Sequence, residues 1–320
     1  LTNITTSSAT AGGTILTDGY AAITKSGIVW SKTSATPTLT DSVIAGTTAS
    51  GSFTTNLTGL DFNRTYYIRA FATNSVGTAY GDVVTLNTTN DTSKVRFSYN
   101  GKEVIYGIII SSASGKKWLD RNLGAARVAT SYDDYQAYGD LFQWGRPADG
   151  HQLINWTAST TGVPVNGLSN VVANSDTPGH NNFISVSGTP GRDWRSDNNR
   201  NRWATIPQGP CPAGWHVPSE ADWLAEISKT KGGTANSGGM TDRSTAYSQL
   251  KLTLGGYRKG SGADAAQLLQ TGTNAHYWMS TDRINLDNYS DALDFEIGAD
   301  YVQFFFENKN SGLFVRCLMN

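Results

Sequence analysis

Hydrophobic positions in this chain come mostly in short runs of period two. The clearest is Tyr66 to Ala72, where Tyr66, Ile68, Ala70 and Ala72 fall on one face of a strand. Val95 to Ile110 reads as strand, turn, strand, with Asn100-Gly101 as the hairpin turn. Tyr138 to Arg146 alternates again. The last 45 residues or so predict a meander. Tyr277-Trp278-Met279-Ser280 is one strand, and Leu293, Phe295 and Ile297 mark the next. Val302, Phe304 and Phe306 mark a third, and Leu313, Val315 and Cys317 a last. The one good helical pattern is Glu220 to Lys231. Ser219 is its N-cap, and Asp222 completes a capping box. Trp223, Leu224 and Ile227 form its buried stripe. Lys229 and Lys231 suit its C-terminal dipole, and Gly232-Gly233 ends it.

Composition divides the chain in two. Residues 1–90 hold 22 Thr and 9 Ser but only 8 charged residues and one Trp. Threonine suits half-exposed strand faces. Turn signals such as Thr17-Asp18-Gly19 and Asn74-Ser75-Val76-Gly77 recur at short intervals, the pattern of a β-sandwich. Asn87 to Ser93 is polar and has no apolar anchor, so the domain break is expected at 90–94. The remainder carries eight of the nine tryptophans. Most of these are expected in a core, with one or two facing a ligand. Residues 147–208 are rich in Asn, Ser, Thr, Gly and Pro, and predict long loops. There Arg192, Arg195, Arg200 and Arg202 gather around Trp194 and Trp203, a pattern of arginine stacked on aromatic rings.

Charge and hydropathy exclude several classes. Lys plus Arg is 25 and Asp plus Glu is 26, a net charge of -1, which leaves no excess positive charge for a phosphate backbone. No apolar run is long enough for a membrane-spanning helix. Charged residues are 16%, against ~25% in typical soluble chains. The two cysteines, Cys211 and Cys317, lack zinc-finger spacing. They read either as a redox or nucleophilic pair or as one structural disulfide, and the secreted-looking composition favours the second. The chain begins at Leu1 without a signal segment, so it is expected to be a processed or trimmed form of an exported protein.

Two resemblances follow from these residues. Leu60, Tyr66, Ile68, Ala70, Asn74 and Gly77 resemble the pattern of a fibronectin type III domain, with Phe62 where the family usually has Pro. The resemblance covers residues 1–89 and looks closest to Thr-rich versions in Bacteroidetes surface proteins, which usually serve as spacers. It implies that Tyr66 is a tyrosine corner, its ring in the core and its hydroxyl bonded to upstream backbone. The second is carried by Cys211-Pro212-Ala213-Gly214-Trp215-His216-Val217-Pro218-Ser219, Trp223, Gly255-Gly256-Tyr257-Arg258, Tyr277-Trp278-Met279-Ser280-Thr281 and Val315-Arg316-Cys317. Trp118, Asn122-Leu123 and Tyr138-Gly139 fit its opening. Together they look like the Fibrobacter succinogenes major paralogous domain, over about residues 98–319. That family is similar to the C-type-lectin-like fold, and implies a closing Cys211–Cys317 bridge and a surface-displayed binding module.

The expected fold is therefore β-rich. A fibronectin III/Ig-like sandwich (1–89) precedes a linker (90–94) and an α+β C-type-lectin-like domain with long loops (95–320). The expected function is non-enzymatic adhesion at the cell surface or outside the cell. The partner would be a host glycan or protein, or another bacterial surface protein. Candidate ligand-binding residues are Trp278, Asp282, Arg283, Asn285, Asp287, Asn288, Tyr289, Tyr301, Asn308 and Asn310, a mix of rigid aromatic area and adaptable hydrogen bonding. No catalytic motif is found, and the four histidines are dispersed. The acidic-Pro-Asn and Trp-Asn-Asp triplets of calcium-dependent lectins are absent, so no metal site or obligatory calcium is expected, although Asp282, Asn285, Asp287, Asn288 and Asp291 offer oxygen ligands. Three alternatives stand beside adhesion. One is an enzyme of the formylglycine-generating-like fold that uses Cys211 and Cys317. Another is a structural fimbrial or surface component. The third is a scaffold with diversified residues in 282–310.

Overall fold

A computed structural model of the chain describes residues 1–46, 50–186, 192–196, 202–205, 208–227, 239–282 and 291–320. It is β-rich, with several sheets and only short helices among the described residues. The chain forms two compact units, Leu1–Thr92 and Ser93–Asn320.

The first unit contains β1 (Ser8–Ile15), β2 (Lys25–Ser31), β3 (Ser42–Ala45), β4 (Gly51–Thr58), β5 (Thr65–Thr73), β6 (Thr78–Tyr80) and β7 (Val84–Asn87). β1 and β4 pair as one antiparallel sheet. The other has the order β3-β2-β5-β6, with β7 also paired to β5. One apolar core takes residues from both sheets, including Ala9, Phe53 and Leu57 from the first and Ile28, Tyr66 and Ile68 from the second. Tyr66 is buried, and its hydroxyl accepts a hydrogen bond from Asp61 N at 2.8 Å, five residues upstream. Thus the ring fills the core while the polar tip fixes the turn that leads into β5.

In the second unit the strands in chain order begin with β8 (Lys94–Tyr99), β9 (Lys102–Ile110), β10 (Lys117–Leu119) and β11 (Phe142–Gln143). Then come β12 (Ile154–Ala158), β13 (Thr161–Pro164), β14 (Leu168–Ser169), β15 (Phe183–Ile184) and β16 (Trp215–His216). β17 (Tyr257–Arg258), β18 (Leu268–Leu269), β19 (Ala275–Asp282), β20 (Asp291–Ile297) and β21 (Val302–Asn308) follow, and β22 (Gly312–Leu313) and β23 (Leu318–Met319) close the unit. Three larger sheets result, with orders β16-β23-β10-β9-β8, β11-β22-β17-β18 and β19-β20-β21. Asn100 (φ 49) and Gly101 (φ 72) turn the β8–β9 hairpin, the left-handed pair that the Asn-Gly signal predicts.

Helix α1 (Arg202–Thr205) is a single turn, and α2 spans Glu220–Leu224. The capping box of α2 is complete: Ser219 Oγ accepts from Asp222 N, and Asp222 Oδ2 accepts from Ser219 N. The helix is shorter than its pattern suggests. Trp223 is buried as expected, but Leu224 is 39% exposed, and Ile227 lies past the helix end in a bridge to Met240. Residues 228–233, where the lysines and the glycine stop were expected, lie outside the described residues. Helix α3 (Arg243–Leu250) was not visible in the pattern, because only Ala246 and Leu250 are buried within it.

Seven of the eight tryptophans of this unit (118, 144, 194, 203, 215, 223 and 278) are buried; Trp156 is half-buried. A buried indole usually finds an acceptor for its N–H, and four of these do, whereas the Nε1 of Trp223 has none. Trp118 donates to Glu226, Trp144 to Met279 O, Trp194 to Trp144 O and Trp278 to Phe142 O. Cys211 and Cys317 form a disulfide inside this core, with Cα atoms 5.8 Å apart. The strand expected over 313–317 is not continuous. Gly312–Leu313 and Leu318–Met319 are strands, Phe314 makes a single parallel bridge to Tyr277, and Leu313 to Leu318 are all buried, because this segment passes through the core between sheets. The loop-rich stretch from 147 holds the small hairpin β12–β13 and the parallel pair β14–β15.

Candidate functional site

The sheet β19-β20-β21 has one face in the core and one partly open. Its register places His276 opposite Glu296 and Glu296 opposite Gln303, with Trp278, Asp294 and Phe305 in the neighbouring row. Alternation sends Tyr277, Phe295 and Phe304 to the core face, where they join Trp223 and Phe314. The opposite face is covered near β19 and opens toward β21. Among the described strands β21 is an edge, paired only with β20.

The polar groups on this face are bound mostly to one another. His276 Nδ1 lies 2.7 Å from Asp294 Oδ2, and its Nε2 lies 2.7 Å from Gln270 Oε1. Burial opposes a charge on His276, but Asp294, Glu296 and Glu307 outweigh it and raise its pKa. Two acceptors, one on each ring nitrogen, fit the doubly protonated ring. Tyr257 packs against it at 4.7 Å. Glu296 accepts from Gln303 Nε2 at 2.6 Å, Tyr301 OH at 2.8 Å and Asn274 Nδ2 at 3.0 Å. Burial works against its charge, yet these donors and His276 hold its pKa below the usual carboxylate range. The Tyr301 phenol is pushed up to about 12, first by burial and then by Glu296. Such a network orients side chains and rigidifies the face; none of these groups is left as a free base beside an open nucleophile.

At the outer edge the chemistry changes. Phe305 is 45% exposed and Phe306 38% exposed, and their rings stack at 4.9 Å with planes 6° apart. Tyr301 stands at one end of the strand, 36% exposed. Asn308, half-buried at the other end, donates from Nδ2 to Ser261 Oγ. Lys259 and Glu307 pair beside it at 3.3 Å. This is a rim of aromatic faces bordered by amide and charged groups.

Of the residues chosen from sequence, Tyr301 and Asn308 lie on this rim. Trp278 does not: the register turns it under β11, where its Nε1 donates to Phe142 O at 2.6 Å, so it belongs to the core. Asn310 is likewise core, fully buried, with Nδ2 donating to Gly260 O at 3.1 Å. Asp282 ends β19 and faces Lys309 rather than the rim. Arg283, Asn285, Asp287, Asn288 and Tyr289 lie outside the described residues. Phe305 and Phe306 were missed because each was assigned to strand alternation alone. The signal was present, since three consecutive phenylalanines cannot all face the core of one strand.

Compared with protein-family models, with curated proteins and with solved structures, the chain matches none. The site therefore rests on its own geometry. Among the described residues, no group of three or more His, Cys, Asp or Glu side chains is arranged to hold a metal ion. No described helix is long and apolar enough to cross a membrane. In the first unit an open groove of about 280 Å³ runs between the sheets, lined by Ile15, Phe53, Phe71 and Tyr80 among others, with no titratable cluster in its wall.

Proposed function

We propose that this protein is a non-enzymatic binding module displayed outside the cell. It would recognise a glycan or protein through the β21 edge of its C-terminal unit, with the N-terminal sandwich as a spacer. The observation that carries this reading is the stacked, exposed pair Phe305–Phe306. Aromatic faces suit the apolar faces of sugar rings and the anchor positions of protein interfaces, and exposed large apolar groups mark such surfaces. The hydrogen-bonded face beneath would hold the rim rigid, which lowers the entropic cost of binding. The sequence resemblance to surface-displayed lectin-like domains points the same way. Against thiol chemistry stands the position of Cys211 and Cys317, bonded to each other and buried.

The test is a glycan and matrix-protein screen with the intact chain, run with calcium and with chelator. A specific hit is expected, and Phe305→Ser should weaken it at least about tenfold, the usual effect of losing a central aromatic anchor. Its thermal midpoint should stay within a degree or so, because an exposed side chain contributes little to stability. Binding retained by Phe305→Ser would rule out this edge. A clean null across the screen would move the assignment to a surface component whose partner is another bacterial protein.

A further inference from the structure

Lys309, the residue after β21, has a side chain only 1% exposed, and its Nζ lies 2.9 Å from Asp282 Oδ1 at the end of β19. Lysines paired with carboxylates elsewhere are wetter: Lys32 is 54% exposed, Lys116 35% and Lys259 27%. Nζ sits over the ring of Trp144 at 4.5 Å. Trp144 is tied to both sides of the pair: its Nε1 donates to Met279 O on β19, and its backbone N donates to Lys309 O. Neither oxygen of Asp282 receives an aligned hydrogen bond, so the amine meets the carboxyl group off the hydrogen-bonding line. A buried ion pair without supporting hydrogen bonds does not recover its desolvation cost.

We propose that Lys309 and Asp282 condense to an isopeptide bond. The proton of the ammonium first passes to the carboxylate, which gives a neutral amine and acid. The nitrogen lone pair then attacks Cγ, and the carbonyl π pair moves onto oxygen. The nitrogen releases a proton and the carbonyl re-forms as the hydroxyl departs; that hydroxyl takes the proton and leaves as water. A C–N bond forms and a C–O bond breaks, nothing is oxidised or reduced, and no co-reactant is consumed. Asp193 is buried in an ion pair with Arg202 and interacts electrostatically with Lys309. Burial lowers the pKa of Lys309 despite Asp282 and Asp193, which favours the free amine. Burial likewise raises that of Asp193 despite Arg202. The product exchanges two buried charges for one neutral amide and locks the two outer strands of the β19-β20-β21 sheet together.

The experiment is intact-mass spectrometry of the purified full chain after disulfide reduction, followed by peptide mapping. The expected mass is one water below that of the sequence, with a branched peptide joining Lys309 to Asp282. Asp282→Asn should reach the same product by losing ammonia. Lys309→Arg and Asp282→Ala should keep the full mass of their own sequences. Folded wild-type protein at full sequence mass would overturn the proposal, and so would a water loss that maps elsewhere. Because the wild-type map decides, the result stands even where a variant fails to fold.

Discussion

Two buried residues set opposite pH responses. Asp140 accepts from Tyr99 OH at 2.7 Å and from Ile154 N at 3.3 Å, yet burial pushes its carboxyl up to about 7. The folded protein therefore holds a proton that the unfolded chain releases above pH ~4, so this contribution is lost as pH rises from about 4 to about 7. His151 behaves in reverse. Its Nε2 accepts from Gln143 N at 3.0 Å, so Nδ1 donates to Asp149, and burial pushes its pKa down to about 4 despite Asp149. The unfolded chain takes up that proton below pH ~6.5, so stability is lost as pH falls from about 6.5 to about 4. Each term is on the order of 3–5 kcal/mol at full extent, and they oppose each other where their windows overlap. In urea titrations, Asp140→Asn should leave a protein that weakens on acidification from pH 6.5 to 4. His151→Asn should leave one that strengthens over the same range. Equal slopes in the two variants would contradict the assignment. Neither residue stood out in the sequence, because depth of burial decides such shifts and periodicity does not report depth for an isolated Asp or His.

At the level of elements, local signals were legible where the backbone obeys local chemistry. The Asn100-Gly101 turn and the Ser219–Asp222 box both form as their residue types require. A Cβ at Gly101 would meet nothing within 4 Å, so the cost of Gly101→Ala is conformational alone. It should be about 1 kcal/mol, read as a lower urea midpoint with an unchanged slope. Ser219→Ala should likewise cost about 1 kcal/mol by removing the cap. A double variant should lose the sum, since the hairpin and the helix share no partner. Helix α3 shows the limit of such reading. Its start is fixed by Asp242, whose side chain accepts from Ser244 N and Thr245 N, but it has no apolar stripe to announce it. On β21 the alternation correctly put Phe304 in the core, while the exposure of both Phe305 and Phe306 needed the edge position of the strand, which only the sheet order supplies.

For the whole molecule, the change in composition near residue 90 corresponds to the break between two compact units, because each half must bury its own core. What could not be read was closure. The sheet β16-β23-β10-β9-β8 joins residues 117–119 to 318–319 through strands of two or three residues, too short for any period. The disulfide reinforces that long-range closure: Cys211 precedes β16 and Cys317 precedes β23, and these strands pair with each other. A covalent link across 106 positions removes unfolded-chain entropy worth about 4–5 kcal/mol. The bond lies wholly in the second unit, so that contribution belongs to one unit alone. Calorimetry of the full chain should therefore show two transitions. In a Cys211→Ser, Cys317→Ser variant, the transition of the second unit should fall by several degrees or more, while the first, whose core contains no cysteine, should keep its midpoint. A single transition that shifts as a whole would mean that the two units unfold as one, and the stability of the sandwich would then depend on the closure of its neighbour.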